Sequence, residues 1–280
     1  MIHVKHACVI GWPIEHSRSP LLHGYWLKKY QIPGRYDRIA VSPETLDSFI
    51  DGFAGRGFVG GNVTIPHKEA VFRRVAVADP LTARLGSVNT LYLSDGTLYG
   101  TSTDGYGFVA SAKQAVKDLD FAGIRVTVLG AGGAARSILG ALLEQGVGRI
   151  SVANRSPERA EAFAAEFGQK VEVVPWHGVD TIFARTDMLV NATSLGMTGK
   201  DPLRIDLSPL PAHAVVCDIV YVPLLTPLLM SARSRGLRII DGLGMLMHQA
   251  VPGFERWFGV RPEVTAELRS LLEADVMAKK

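Results

Sequence analysis

The chain has 280 residues, 47% of them hydrophobic, with 30 basic and 27 acidic side chains for a formal charge of +3. This composition excludes intrinsic disorder, and the length suits two domains or one large one. No Lys/Arg run marks a nucleic-acid or membrane surface, and no apolar run approaches the roughly 18 residues of a membrane span, so the expected partners are small molecules. Cys8 and Cys217 each lie in an apolar run, as reduced, buried thiols do, and no HExxH or Cys/His spacing points to a metal. The start, "MIHVKHACVIGWP", carries too short an apolar stretch for a signal peptide, and a cytoplasmic protein is expected.

Short apolar runs alternate with stretches of helical period, the mark of an α/β fold. In the first third, strands are predicted near 7–10, 35–40, 58–64, 88–93 and 97–101, and helices near 20–30, 43–51, 67–74 and 79–85. Ser19-Pro20 reads as a helix start, with Ser as cap and Pro preset for the first turn. An amphipathic helix near 106–118 is taken as the bridge between domains. Beyond it come strand 124–129, helix 133–145, strand 149–153, helix 157–167, and strands 171–174, 187–191 and 214–219. Helix 226–235 and strand 237–240 complete a parallel sheet wound on both faces. Helices near 243–257 and 263–275 close the chain, either finishing the second domain or folding back on the first.

"VTVLGAGGAARSILGALLEQG" is strand, turn, then helix, with Gly130, Gly132 and Ala135 in a G-x-G-x-x-A fingerprint. The first glycine permits the tight turn, the second lets backbone approach a pyrophosphate, and the alanine lets the helix sit close to the sheet. The helix start then offers free N–H groups to phosphate. The next strand ends in "NRSPER". An NAD site usually has a carboxylate at this tip, for the ribose 2′-hydroxyl. Here Asn154, Arg155, Ser156 and Arg159 offer guanidiniums instead, which match a 2′-phosphate, so NADP is favoured over NAD.

Several polar residues sit where chemistry could use them, and each also has a plain structural alternative. In "NVTIPHKE", strand alternation sets Asn62, Thr64, Pro66 and Lys68 on one side and His67 on the other. Lys68 is either a functional ammonium or a surface lysine opening a helix. Asn89 in "SVNTLY" could form a turn, and Asp104 in "TSTDGYG" could cap a helix. Ser17 and Ser19 in "EHSRSP" make either a carboxylate cradle or one cap and one loop serine. Tyr221 falls just past a strand end. Gln249 falls in a helix approached through Gly242 and Gly244.

Taken in order, "HSRSP … GGNVTIPHKEA … GSVNTLY … TSTDGYGF … LGAGGAAR … NRSPER … NATSLGM … YVPLLTP … DGLGMLMHQA" resembles the shikimate dehydrogenase family across roughly residues 8–258. The resemblance implies an N-terminal α/β substrate domain, 1–104, joined by the returning C-terminal helices, 243–280. A Rossmann-type NADP domain would occupy 105–242. It implies NADP-dependent interconversion of 3-dehydroshikimate and shikimate, in the shikimate pathway of aromatic amino acid biosynthesis, by a monomer or homodimer. Lys68 and Asp104 correspond to the catalytic pair. Ser17, Ser19 and Tyr221 would hold the substrate carboxylate, and Thr64, Asn89, Asp104 and Gln249 the ring hydroxyls. Gly130, Ala131, Gly132, Gly133 and Ala134, with Asn154, Arg155, Ser156 and Arg159, would hold NADP(H). Thr193, Ser194, Ile219 and Gly242 would lie on the nicotinamide side. Two departures stand out: Ser102 where the family has Asn, and Ile219-Val220 where it has larger residues. The nearest rival is a quinate/shikimate dehydrogenase of dual substrate and cofactor use. From another class, the rival is an NADP-binding sensor, which would not need Lys68 and Asp104 together.

Overall fold

A computed structural model describes residues 4–278. The chain divides into two compact units. The first runs to Asp104 and takes back Gln249–Leu272; the second runs from Gly105 to His248 and includes the chain from Glu273 onward. The segment grouped with the first unit is thus shorter than the 243–280 expected.

The first unit holds a six-stranded mixed sheet of order β2-β1-β3-β5-β6-β4. Its strands are β1 (Lys5–Gly11), β2 (Gly34–Ala40), β3 (Phe58–Val63), β4 (Ala76–Val77), β5 (Thr90–Ser94) and β6 (Thr97–Thr101). Strand β3 runs parallel to β1 and antiparallel to β5. Helices α1 (Ser19–Lys29), α2 (Leu46–Asp51), α3 (Lys68–Phe72) and α4 (Pro80–Leu85) connect them. The predicted helix 43–51 divides into a 3-10 turn, Pro43–Thr45, and α2, while the predicted helix 67–74 shortens to α3. Two-residue β4 carries too short a pattern to be read from sequence.

Two glycines set the packing of β3. A Cβ on Gly60 would lie 2.0 Å from Trp257 Nε1 and 2.4 Å from Leu91 O, and one on Gly61 would lie 2.8 Å from Cys8 O. The returning segment is anchored there by Trp257 Nε1 donating to Leu91 O at 2.8 Å, and by Trp26 Nε1 donating to Glu263 O at 3.0 Å. His23 stacks 4.0 Å from Tyr36 in this aromatic core, where burial pushes its imidazole down to about 3. It is therefore a neutral core residue at physiological pH.

The second unit is built on α5 (Asp104–Ala115) and a six-stranded, wholly parallel sheet. Its strands are β7 (Arg125–Leu129), β8 (Arg149–Ala153), β9 (Val171–Val174), β10 (Met188–Asn191), β11 (Val215–Asp218) and β12 (Arg238–Ile240). Helices α6 (Gly133–Glu144), α7 (Pro157–Phe167) and α8 (Pro227–Ser234) alternate with them, and α9 (Gly242–Phe258) and α10 (Ala266–Ala278) close the chain. The central strands are buried except for Arg125 at the start of β7, as a sheet covered on both faces requires. The order β12-β11-β10-β7-β8-β9 is the doubly wound dinucleotide-fold order, and its direction reverses between β7 and β10. Cys8 and Cys217 are free and buried, and burial pushes the Cys8 thiol up to about 12. Among the described residues there is no metal-ligating cluster and no helix long and apolar enough to cross a membrane.

Candidate active site

In the first unit, Val63 ends β3 and Pro66, with no N–H to give a ladder, keeps the chain from resuming it. His67 N donates to Thr64 O at 3.0 Å, tightening the turn that delivers Lys68 to the first position of α3. Lys68 and His67 then diverge, but through this turn and helix start rather than through strand alternation, since β3 ends at Val63. His67 Nε2 lies 2.7 Å from Val41 O in the interior. Lys68 Nζ donates to Asp104 Oδ2 at 2.5 Å, with the lysine side chain 22% and the aspartate side chain 10% exposed. Asp104 is the first residue of α5 rather than the cap before it, and its side chain faces Lys68.

Asn89 joins the remaining groups. Its Nδ2 lies 2.9 Å from Asp104 Oδ1 and 3.2 Å from Gln249 Oε1, and its Oδ1 accepts from Thr103 N at 2.8 Å. Both oxygens of Asp104 are therefore held, one by ammonium and one by amide. Behind Asn89 lies a buried set that sequence reasoning left unassigned: Tyr36, Asn62, Thr90 and Thr103. Tyr36 donates to Asn62 Oδ1 at 2.6 Å, and Asn62 Nδ2 donates to Asn89 O at 3.0 Å. Thr90 Oγ1 donates to Asn89 Oδ1 at 3.1 Å, and Thr103 Oγ1 donates to Gln249 O at 2.8 Å. The signal available was the clustering of polar residues in N-V-T, V-N-T and S-T-D at strand ends that otherwise read as core.

Ser17 and Ser19 correct the capping expectation. Helix α1 starts at Ser19 itself, with Arg18 at the cap position. Ser17 Oγ accepts from Ser19 N at 3.3 Å, so Ser17 is the serine that serves the helix end and its own proton stays available to an acceptor. Arg38 Nε donates to Ser17 O at 2.8 Å and holds the loop from the sheet side. Thr64 is half-buried beside this turn, its methyl against Gly11. Seven of the eight expected substrate residues thus belong to the first unit, and Lys68, Asp104, Asn89 and Gln249 form one bonded chain. Tyr221 belongs to the second unit, in the loop after β11.

In the second unit, the residues expected to hold a cofactor sit after the C-terminal ends of parallel strands, on both sides of the point where strand order reverses. Gly130 follows β7 with φ +104°, a conformation that disfavours side chains, and a Cβ there would lie 2.9 Å from Thr193 Cγ2. At Gly132 and Gly133 a Cβ would meet nothing within 4 Å, so the backbone at the start of α6 borders open space. Asn154 Oδ1 accepts from Ala131 N at 3.1 Å and its Nδ2 donates to Ser156 O at 2.9 Å, tying the glycine turn to the loop after β8. Arg155, Ser156 and Arg159 are exposed there. Neither arginine has an ion-pair partner among the described residues. Ala135 is wholly buried, as close helix–sheet packing needs. Thr193 Oγ1 donates to Asn191 Oδ1 at 2.7 Å, shaping the loop that carries Ser194. Gly242 packs against Ile219, where a Cβ would lie 2.1 Å from Ile219 O.

Known proteins give these two sites a family. Models for the shikimate dehydrogenase substrate binding domain, for shikimate / quinate 5-dehydrogenase and for the shikimate 5'-dehydrogenase C-terminal domain match residues 9–91, 110–198 and 242–270. The shikimate dehydrogenase (NADP(+)) of Azorhizobium caulinodans is 51% identical over 276 residues, which cover 99% of this chain and 98% of that protein. Shikimate 5-dehydrogenase from Thermus thermophilus, solved in complex with NADP(H) and shikimate, superposes with a TM-score of 0.85 at 32% identity, covering 99% of this chain and 100% of that one. Ligand-free 5-ketofructose reductase of Gluconobacter sp. strain CHM43 superposes with a TM-score of 0.89 at 29% identity, with full coverage of both chains. The fold is thus shared by more than one reductase, while near-full-length identity and all three domain models agree on one group: the chain belongs to the shikimate dehydrogenase family.

Proposed function

We propose that the protein interconverts 3-dehydroshikimate and shikimate with NADP(H). The observation that carries this reading is the Lys68–Asp104 pair at 2.5 Å, bonded through Asn89 to Gln249 within one unit. Such a chain offers a ketone oxygen an ammonium and offers ring hydroxyls a carboxylate and two amides. Ser17 Oγ, already accepting from Ser19 N, has its proton free for a substrate carboxylate. Tyr221, in the second unit, is assigned to substrate on the family resemblance alone. The second unit suits NADP(H): open space borders Gly132 and Gly133 for a pyrophosphate, and Arg155 and Arg159 stand exposed for a 2′-phosphate.

Reduction of the ketone builds negative charge on its oxygen. Lys68 Nζ opposes that charge and gives the oxygen a proton. Asp104 Oδ2 fixes the direction of Nζ, while Asn89 Nδ2 fixes Asp104 through Oδ1, so the ammonium is aimed before substrate arrives. Bound NADP(H) supplies or takes the hydride.

Shikimate-dependent formation of NADPH, followed by absorbance, tests the assignment with Lys68→Met beside the wild type. Loss of one positioned charge and acid should lower kcat by about 10²–10⁴ with KM for shikimate changed by only a few-fold. Turnover by Lys68→Met near the wild-type rate would make the catalytic assignment wrong.

A further inference from the structure

Asp218, the last residue of β11, lies opposite Asn191, the last residue of the paired strand β10. It is buried, 2% exposed, and its carboxylate accepts from three donors. Asn191 Nδ2 reaches Oδ1 at 2.9 Å, Val220 N reaches the same oxygen at 3.0 Å, and Thr226 Oγ1 reaches Oδ2 at 2.6 Å. All three donors are neutral.

What those donors belong to gives the carboxylate a task. Asn191 turns its side-chain oxygen, Oδ1, to Thr193, accepting from Thr193 N at 3.1 Å and from Thr193 Oγ1 at 2.7 Å. Its main-chain oxygen accepts from Ile219 N at 3.1 Å. Val220 lies between Ile219 and Tyr221. Thr226 caps α8 by accepting from Leu229 N at 3.3 Å. One side chain therefore ties the loop of Thr193 and Ser194 to the loop of Ile219 and Tyr221, and ties both to a helix start. The Thr193 methyl in turn lies against Gly130 of the glycine turn.

We propose that Asp218 is a positioning residue for the reaction, holding the two loops that carry Thr193, Ser194, Ile219 and Tyr221 in their ligand-binding arrangement. The inference rests on the assignment of these loops to NADP(H) and substrate given above. A carboxylate suits the place because it accepts at both oxygens and donates at neither. An amide would keep one acceptor, enough for Asn191 and Val220, and would turn an N–H toward Thr226. Alanine would leave all three donors without their acceptor, and the Asn191 side chain would lose the contact that orients it toward Thr193.

The test uses the full chain as wild type, Asp218→Asn, Asp218→Ala, Asn191→Ala and the Asp218→Ala/Asn191→Ala double variant. NADPH affinity is read from nicotinamide fluorescence, with kcat and KM from steady-state rates and melting temperature alongside. Asp218→Ala should weaken NADPH binding about tenfold, the worth of one hydrogen bond to a charged group. Asp218→Asn should lose less affinity, with no fall in melting temperature. Adding Asn191→Ala to Asp218→Ala should cost little more, since both act through one chain of bonds. Wild-type affinity in both Asp218 variants would overturn the inference alone. So would a loss that tracks a fall in melting temperature, or strictly additive losses. Failure of the wild type to bind NADPH would overturn the cofactor assignment and this inference with it.

Discussion

Replacing Asp218 by asparagine should make the protein more stable at neutral pH, and more so the higher the pH. Burial is the largest influence on this carboxyl, and against the opposing pull of Thr226, Val220 and Asn191 it raises the group from its ordinary 3.8 to about 6. The native state thus holds the charge less readily than the unfolded chain does, at a cost of about 3 kcal/mol once the group is fully ionised. The sign is the reverse of the usual aspartate. Below 3.8 the group is protonated in both states and costs nothing. As pH rises from there the native state binds more protons than the unfolded one, and stability falls until the pH passes about 6. Between pH 5 and pH 7.5 the change amounts to about 1 kcal/mol. Asparagine has no such dependence; it carries only a fixed cost of about 1 kcal/mol for the altered Thr226 contact. Urea unfolding of both proteins at several pH values isolates the effect as the change in their difference, which cancels every other titrating group. The difference should move in favour of Asp218→Asn by about 1 kcal/mol from pH 5 to pH 7.5. A pH-independent difference, or one moving the other way, would refute the claim that a costly charge is kept at the end of β11.

Two other variants examine different parts of the molecule. Arg155→Ala combined with Arg159→Ala should raise KM for NADP⁺ by about 10- to 100-fold while leaving KM for NAD⁺ nearly unchanged, because only the 2′-phosphate distinguishes the two. Steady-state rates with each cofactor decide it, and an equal loss with both would remove the 2′-phosphate role. Gly60→Ala should destabilise the fold by about 3 kcal/mol, since its Cβ would meet Trp257 Nε1 at 2.0 Å and Leu91 O at 2.4 Å. A drop of roughly 5–10 °C in thermal melting is expected, and an unchanged melting temperature would contradict the packing described for β3.

Much of this was legible in the sequence because the carriers are local. Alternating runs gave the α/β class, and strand, glycine turn and helix in "VTVLGAGGAARSIL" fell where read, with Gly130 at positive φ. Lys68 and Asp104 were singled out one by one, but composition and spacing did not pair them; the resemblance did, and the structure brings them to 2.5 Å. What escaped depends on pairing between distant strands. Asn62 and Thr90 are partners only because β3 and β5 run antiparallel in the register Asn62↔Thr90. Asn191 and Asp218 meet only through the parallel register of β10 and β11. The Ser19 cap failed by one residue for a local reason: Ser17 can reach Ser19 N from the loop, so the helix begins at Ser19 rather than after it.

The most direct test of the central claim is cofactor reduction by the wild type with shikimate or quinate, each with NADP⁺ or NAD⁺. Strong turnover for shikimate with NADP⁺ alone is the expected result, joining Lys68 and Asp104 to the reacting oxygen and Arg155 and Arg159 to the 2′-phosphate. Comparable turnover of quinate would move the protein to dual substrate use, and a preference for NAD⁺ would overturn the arginine assignment. Silence in all four pairings would contradict the account.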